Sequence, residues 1–150
     1  MADSRITRIY KKIAELVASD YTSGYSGLNL TSSVQRGSVD EPPYIPFGTV
    51  QFLESIEDFG PTLGRFQSTA LFEVYCFVGG SNIGERSANT LNLISDMIEA
   101  LTANRQLGIP EYCDDIKCSF LAIDGDKYGI EGVGIGYIRA EVSWQSSTGA

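Results

Sequence analysis

Between Ser4 and Val17 the apolar residues Ile6, Ile9, Tyr10, Ile13, Leu16 and Val17 recur at helical spacing, with Asp3 or Ser4 placed to cap the first N–H groups. The spacing predicts a first helix. From Asp20 to Phe47 the periodicity lapses: Gly24, Gly27, Gly37, Pro42, Pro43 and Pro46 interrupt it, and only Leu28 to Val34 leaves room for a short strand. Connections this long are usually functional or mobile. Strands are predicted from Gly48 to Glu57 and, after Gly60-Pro61, from Arg65 to Val78, where Phe66, Ala70, Phe72, Val74, Cys76 and Val78 fall on one side. The other side of that strand carries Gln67, Thr69, Leu71, Glu73, Tyr75 and Phe77, mixed enough to meet solvent or a neighbouring subunit. A second helix is predicted from Asn82 to Asn104, with Ala88, Leu91, Ile94, Ile98 and Leu101 as its buried stripe and Gly108-Ile109-Pro110 as its stop. Two strands close the chain. Ile116, Cys118, Phe120 and Ala122 alternate in the first, Ile138, Ala140, Val142 and Trp144 in the second, and a glycine-rich turn from Asp124 to Gly136 joins them. The order αβ(β)βαββ predicts an α+β fold, a mostly antiparallel sheet of four to five strands with two helices packed on one face.

A length of 150 residues suits one domain with one continuous core, and 43% hydrophobic with 20% charged residues is ordinary for a globular chain. The net charge of −8 changes the picture more. Eight carboxylates, Glu54, Glu57, Asp58, Asp114, Asp115, Asp124, Asp126 and Glu131, load the middle and C-terminal parts, so tight duplex binding is disfavoured. The only basic cluster is Arg5, Arg8, Lys11 and Lys12, of which Arg5, Arg8 and Lys12 share a helix face; a solvated face is the expectation. The three cysteines do not make a disulfide framework, and Cys76 sits in an apolar run as a small core residue. With no apolar stretch long enough to span a bilayer, no membrane partner is expected, and a reducing cytoplasm is the expected setting.

The chain has no histidine, which removes the commonest general base and the commonest neutral metal ligand. Triads built on Ser-His-Asp or Cys-His cannot form. Cys113 and Cys118 lack a second pair for structural zinc. Gly79-Gly80-Ser81-Asn82-Ile83-Gly84 has the glycines of a phosphate loop, but Glu85 and Arg86 stand where Lys and then Ser or Thr belong. Asp124-Gly125-Asp126 begins like a calcium loop, yet Tyr128 takes the fifth position and Ile135 the twelfth. No cofactor and no metal are expected, and the chain reads as something other than an enzyme. A small carboxylate-based hydrolase or ligand-binding domain around Asp114, Asp115, Asp124 and Asp126 is the competing expectation, and it requires a deep pocket lined by perturbed acids.

The positive signal is a set of apolar residues outside the periodic segments: Tyr21, Tyr25, Tyr44, Ile45, Phe47, Phe59 and Leu63, in or beside Gly- and Pro-rich connections. Interface cores favour such side chains, so the group is expected to contact partner subunits.

Four tracts carry a resemblance. Pro43-Tyr44-Ile45-Pro46-Phe47-Gly48 resembles a Pro-Tyr-Val-type segment leading into a first long strand, and Phe72-Glu73-Val74-Tyr75-Cys76-Phe77 before Gly79-Gly80 resembles the next strand and its turn. The helix from Ala88 to Leu101 and the closing Gly136-Tyr137-Ile138-Arg139-Ala140-Glu141-Val142 strand follow in the same order. Together they resemble the tail completion, or tail terminator, proteins of long-tailed bacteriophages over nearly the whole chain, although Tyr75 stands where many relatives have Trp. The resemblance implies a ring of identical subunits, usually a hexamer, that sits on the last ring of the tail tube, ends its elongation and joins the tail to the head connector. It implies the tail tube protein and a head-tail connector or neck protein as partners, assembly in the host cytoplasm and residence in the virion. DNA would pass through without being gripped. An acidic channel wall suits that passage by repelling phosphates, and Glu54, Glu57, Asp58, Asp124 and Asp126 are the candidates for it. Another neck subunit is the neighbouring alternative. The long connection from Asp20 to Phe47 is expected to be the arm that reaches a neighbour.

Overall fold

The computed structural model describes residues 2–38, 41–59 and 66–146; Leu63 and the side chains of Glu57, Asp58, Phe59 and Phe66 lie outside the described residues. The first helix, α1 (Arg5–Val17), starts where the Ser4 hydroxyl accepts a hydrogen bond from the Thr7 N–H, 3.2 Å away. Asp3 is engaged with Lys11 instead, at 2.7 Å. Ile9, Ile13 and Val17, one face of α1, are fully buried.

Five strands form one sheet in the order β1-β2-β3-β5-β4. They are β1 (Val34–Arg36), β2 (Phe47–Phe59), β3 (Phe66–Gly79), β4 (Asp115–Asp124) and β5 (Val133–Ser146). All pairings are antiparallel except the short β1, which runs parallel to β2 at Gly48, Thr49 and Val50. The second helix, α2 (Ile83–Thr102), connects β3 to β4. Both helices share one core with a single face of the sheet, in which Val50, Ala70, Phe72, Val74, Cys76, Ile138, Ala140 and Val142 point at α1 and α2. This is the α+β architecture expected from the sequence.

Three details differ from the sequence expectation. The possible strand from Leu28 to Val34 is displaced, since β1 begins only at Val34. The Asn29 side chain accepts the Thr31 N–H at 3.0 Å, which forms a turn where an extended backbone would have continued. The buried stripe of α2 is rotated: Arg86, Thr90, Leu93, Ile94, Asp96, Met97 and Leu101 are inside, while Ala88 and Leu91 are exposed and Ile98 is half-buried. The rotation holds because the buried polar groups find partners, described below, and because β5 brings glycines under the helix. A Cβ at Gly136 would lie 2.8 Å from Ile94 Cγ1, closer than any ordinary side chain allows. Finally, Phe120 and Ala122 are exposed although they alternate with the buried Ile116. Their strand, β4, is the last in the sheet and only its first half is covered.

The opposite face of the sheet is more open among the described residues. At one end it carries a small apolar cluster, Phe47, Phe77, Val133 and Ile135, a row of which runs across β2, β3 and β5, and Leu71, farther along β3 on the same face, is also buried.

Candidate docking surfaces

The connection after α1 is held against its own domain. Tyr21 is 8% exposed and its hydroxyl donates to the Val17 carbonyl at 2.8 Å; Leu30 is fully buried, and Asp20 and Asn29 form an antiparallel bridge. Further along, the buried Asp96 carboxylate on α2 accepts the Tyr25 N–H at 2.9 Å and the Ser26 N–H at 2.8 Å. A Cβ at Gly24 would lie 2.5 Å from Asp96 Oδ1, so this approach needs glycine. The expectation of a reaching arm between Asp20 and Phe47 is therefore corrected for its first half: Tyr21 and Leu30 belong to the core, because a loop without its own periodicity is still the nearest apolar cover for the end of α1.

The interface candidates separate. Tyr21 and Phe47, the latter 4% exposed, are spent inside the subunit. Tyr25 is 63% exposed, and Tyr44 and Ile45 are also at the surface. Tyr44 packs edge-on against Phe47 with ring centroids 5.3 Å apart, and its hydroxyl donates to the Ser32 carbonyl at 3.2 Å. This presents Tyr44 and Ile45 on a fixed ridge at the edge of the small open-face cluster.

Two further apolar groups were not among those candidates. Phe52, Leu53 and Ile56 are exposed on β2, where the register slips between Phe52 and Glu54, and Phe120 and Leu121 are exposed on β4. The sequence did hold a signal. In a regular strand an adjacent apolar pair such as Phe120-Leu121 cannot send both side chains to one face, so one of them must face away from the helices; at Phe52-Leu53 the register slip suspends that alternation. On the outer edges of β2 and β4, neither is covered.

The acidic candidates also separate. Asp124 and Asp126 close around Arg86, with Nε 2.8 Å from Asp124 Oδ1 and one Nη 3.1 Å from Asp126 Oδ2. The hydrogen bond from Arg86 holds the Asp124 carboxyl below its ordinary range, and the pair raises the guanidinium in return. These two acids brace α2 against the turn after β4, Asp124 largely buried and Asp126 still exposed. The guanidinium also occupies the place a cation would take in the half calcium loop. Glu54 remains exposed on β2, and the open face of the sheet adds Glu73 and Glu141, half-buried beside Arg139. The glycine-rich turn after β3 is satisfied internally: the Asn82 side chain accepts the Glu85 N–H at 2.9 Å and the Ser81 hydroxyl donates to Glu85 at 2.7 Å.

The basic face of α1 is less solvated than its spacing suggests. Arg5 donates to the Tyr112 carbonyl at 2.6 Å and lies over the Trp144 ring, while the Arg8 guanidinium sits 4.9 Å from the centre of the Tyr112 ring.

The acids of the competing hydrolase expectation do not converge. Asp115 pairs with Arg105 at 2.8 Å, and that hydrogen bond lowers its carboxyl; Asp114 accepts the Gln145 N–H at 2.9 Å. They stand at the start of β4 and Asp124 at its end, about 30 Å apart for an extended strand. A groove of about 310 Å³ on the open face, floored by Tyr75, Phe77 and Ile135, has no carboxylate in its lining, and neither has the cavity of about 290 Å³ between Leu28, Pro46 and Asn89. A third cleft, of about 430 Å³, has Glu41 and Glu131 among its lining residues. Among the described residues no group of three potential ligands is close enough to hold a metal ion.

Compared with known proteins, the chain matches no family model and no curated sequence.

Proposed function

We propose that this chain is a structural assembly protein of the tail-terminator kind, which forms a ring on the end of a phage tail tube, ends its elongation and joins it to the head connector. The observation that carries the reading is where the spare apolar surface lies. Phe52, Leu53, Phe120 and Leu121 stand exposed on strand edges, where a partner subunit can cover them, and line none of the three cavities described above; Tyr44 and Ile45 stand exposed on a ridge that borders the clefts of about 290 and 430 Å³. The acids that would have supplied chemistry are engaged with Arg86, Arg105 and the Gln145 N–H. The ordered tracts from Pro43 to Gly48 and from Phe72 to Gly80 support the same reading.

The chain acts in this role by mating surfaces, with no bond made or broken. An edge or ridge that buries apolar side chains against a vacant tube end gains free energy there and, once seated, covers the surface that the next subunits would use. The cap and the next tube ring then compete for one surface. The excess negative charge keeps DNA from adhering as it passes, because phosphates are repelled and no counterions are released. Co-sedimentation with purified tail tubes and, separately, with portal complexes tests the assignment. Pelleting with tubes is expected; pelleting with portals alone assigns the chain to another neck position, and pelleting with neither refutes the reading.

A further inference from the structure

Two edges of the sheet are open among the described residues. The parallel partner β1 covers β2 only from Gly48 to Val50, so from Gln51 onward β2 is paired on one side alone. At the other end of the sheet, β4 is paired only with β5. Each open edge offers unpaired backbone donors and acceptors and carries an exposed apolar pair, Phe52-Leu53 on one and Phe120-Leu121 on the other. Folded proteins rarely leave two such edges uncovered.

We infer that β4 of one subunit pairs with β2 of the next copy, so that the ring is closed by sheet continuation. The inference rests on the ring-forming reading above. Strand directions support it. Since β2, β3, β5 and β4 alternate in direction, β4 runs opposite to β2 within one subunit. Rotation about an axis lying along the strands preserves that relation, so β4 meets the neighbour's β2 antiparallel, the geometry that needs no crossover.

Charge supports it as well. Following the register across the sheet, Glu54 is level with Leu71, Glu141 and Lys117. Glu54 and Lys117 are both exposed, at opposite edges, on the open face. A joint without stagger sets Lys117 against the neighbour's Glu54, and the next row on that face sets Ser119 toward Gln51. Within its own subunit Lys117 lies across from Glu141, which is 3.3 Å from Arg139. A lone lysine on a strand edge commonly prevents pairing, but here the one edge that fits it presents a carboxylate. The joint has a consequence for orientation. Because both helices pack on one face, sheet continuation around a ring turns α1 and α2 to the same side of the wall and the open face, with Glu73 and Glu141, to the other.

Charge reversal with rescue tests the joint, read by sedimentation velocity and native mass over a concentration series. Wild type is expected to assemble; Lys117→Glu is expected to weaken assembly by at least about tenfold, since like charges directly opposed are strongly unfavourable. Lys117→Glu combined with Glu54→Lys is expected to restore it. All three proteins should have the same circular dichroism, which separates lost assembly from lost folding; melting temperature is not the control, because it falls when assembly weakens and because Lys117→Glu sets a carboxylate across from Glu141. An assembly indifferent to Lys117→Glu, or one not rescued by the second change, overturns the joint and leaves the terminator reading to the tube experiment. A wild type that stays monomeric throughout the series also overturns the joint.

Discussion

At the scale of single residues the fold depends on a few contacts with no slack. Gly136 lies beneath α2, and a methyl group there would meet both Cys76 and Ile94, so Gly136→Ala is expected to lower stability by about 1–3 kcal/mol through overpacking. Denaturant unfolding checks this. Asp96 is buried and satisfies two loop N–H groups; Asp96→Ala orphans both and is expected to cost roughly 1–3 kcal/mol, with faster amide exchange at Tyr25 and Ser26. The cysteines give a third test. Burial pushes the Cys76 thiol to about 12 and Cys118 to about 11, so both stay protonated at pH 8 and alkylation of the folded protein should be slow, slowest at Cys76. Rapid modification of Cys76 in folded protein would contradict its place in the core.

At the scale of elements, α2 is where the sequence was read least well. Hydrophobic spacing located the helix but chose Ala88 and Leu91 as its inner face, because Arg86, Thr90 and Asp96 look like solvent residues when only their own helix is considered. Their partners are remote in sequence: Asp124 is 38 residues from Arg86, and the Tyr25 N–H is 71 residues from Asp96. Periodicity cannot register a charge that is buried because a distant loop neutralises it. By contrast β3, which lies inside the sheet, is legible from alternation alone, as are α1 with its cap and β5 from Ile138 onward; the start of β5, Val133 to Gly136, was expected in the glycine-rich turn because Gly134 and Gly136 look like turn residues until α2 is packed against them. The candidate site was legible in part. Tyr25, Tyr44 and Ile45 are at the surface, whereas Tyr21 and Phe47 were misjudged because an aromatic residue in a loop can be cover for its own core. The Arg86 brace carries a pH prediction. The Asp124 carboxyl is held low, so its stabilisation is complete above the ordinary carboxylate value of about 3.9 and is lost as pH falls through the lower folded value. Wild type should therefore lose melting temperature on acidification below about pH 4. Asp124→Asn should melt lower at pH 7 and lose less on further acidification, as a thermal melt at each pH would show.

At the scale of the whole molecule, spare surface and charge point the same way. A net charge of −8 disfavours tight DNA binding, and the salt dependence of DNA binding checks this: negligible affinity is expected at physiological salt, and micromolar affinity would contradict the proposed passive conduit. Apolar edges and ridges, in turn, suit the proposed contact with other protein subunits. If the chain caps a tube, its effect should be visible in the tubes themselves. The most direct measurement is the length of tail tubes growing from purified tube subunits, imaged by electron microscopy with and without this protein. Growth is predicted to stop once the protein is added, with an extra ring at one end of each tube. Tubes that lengthen as before, with bare ends and the protein left free in solution, would contradict the account.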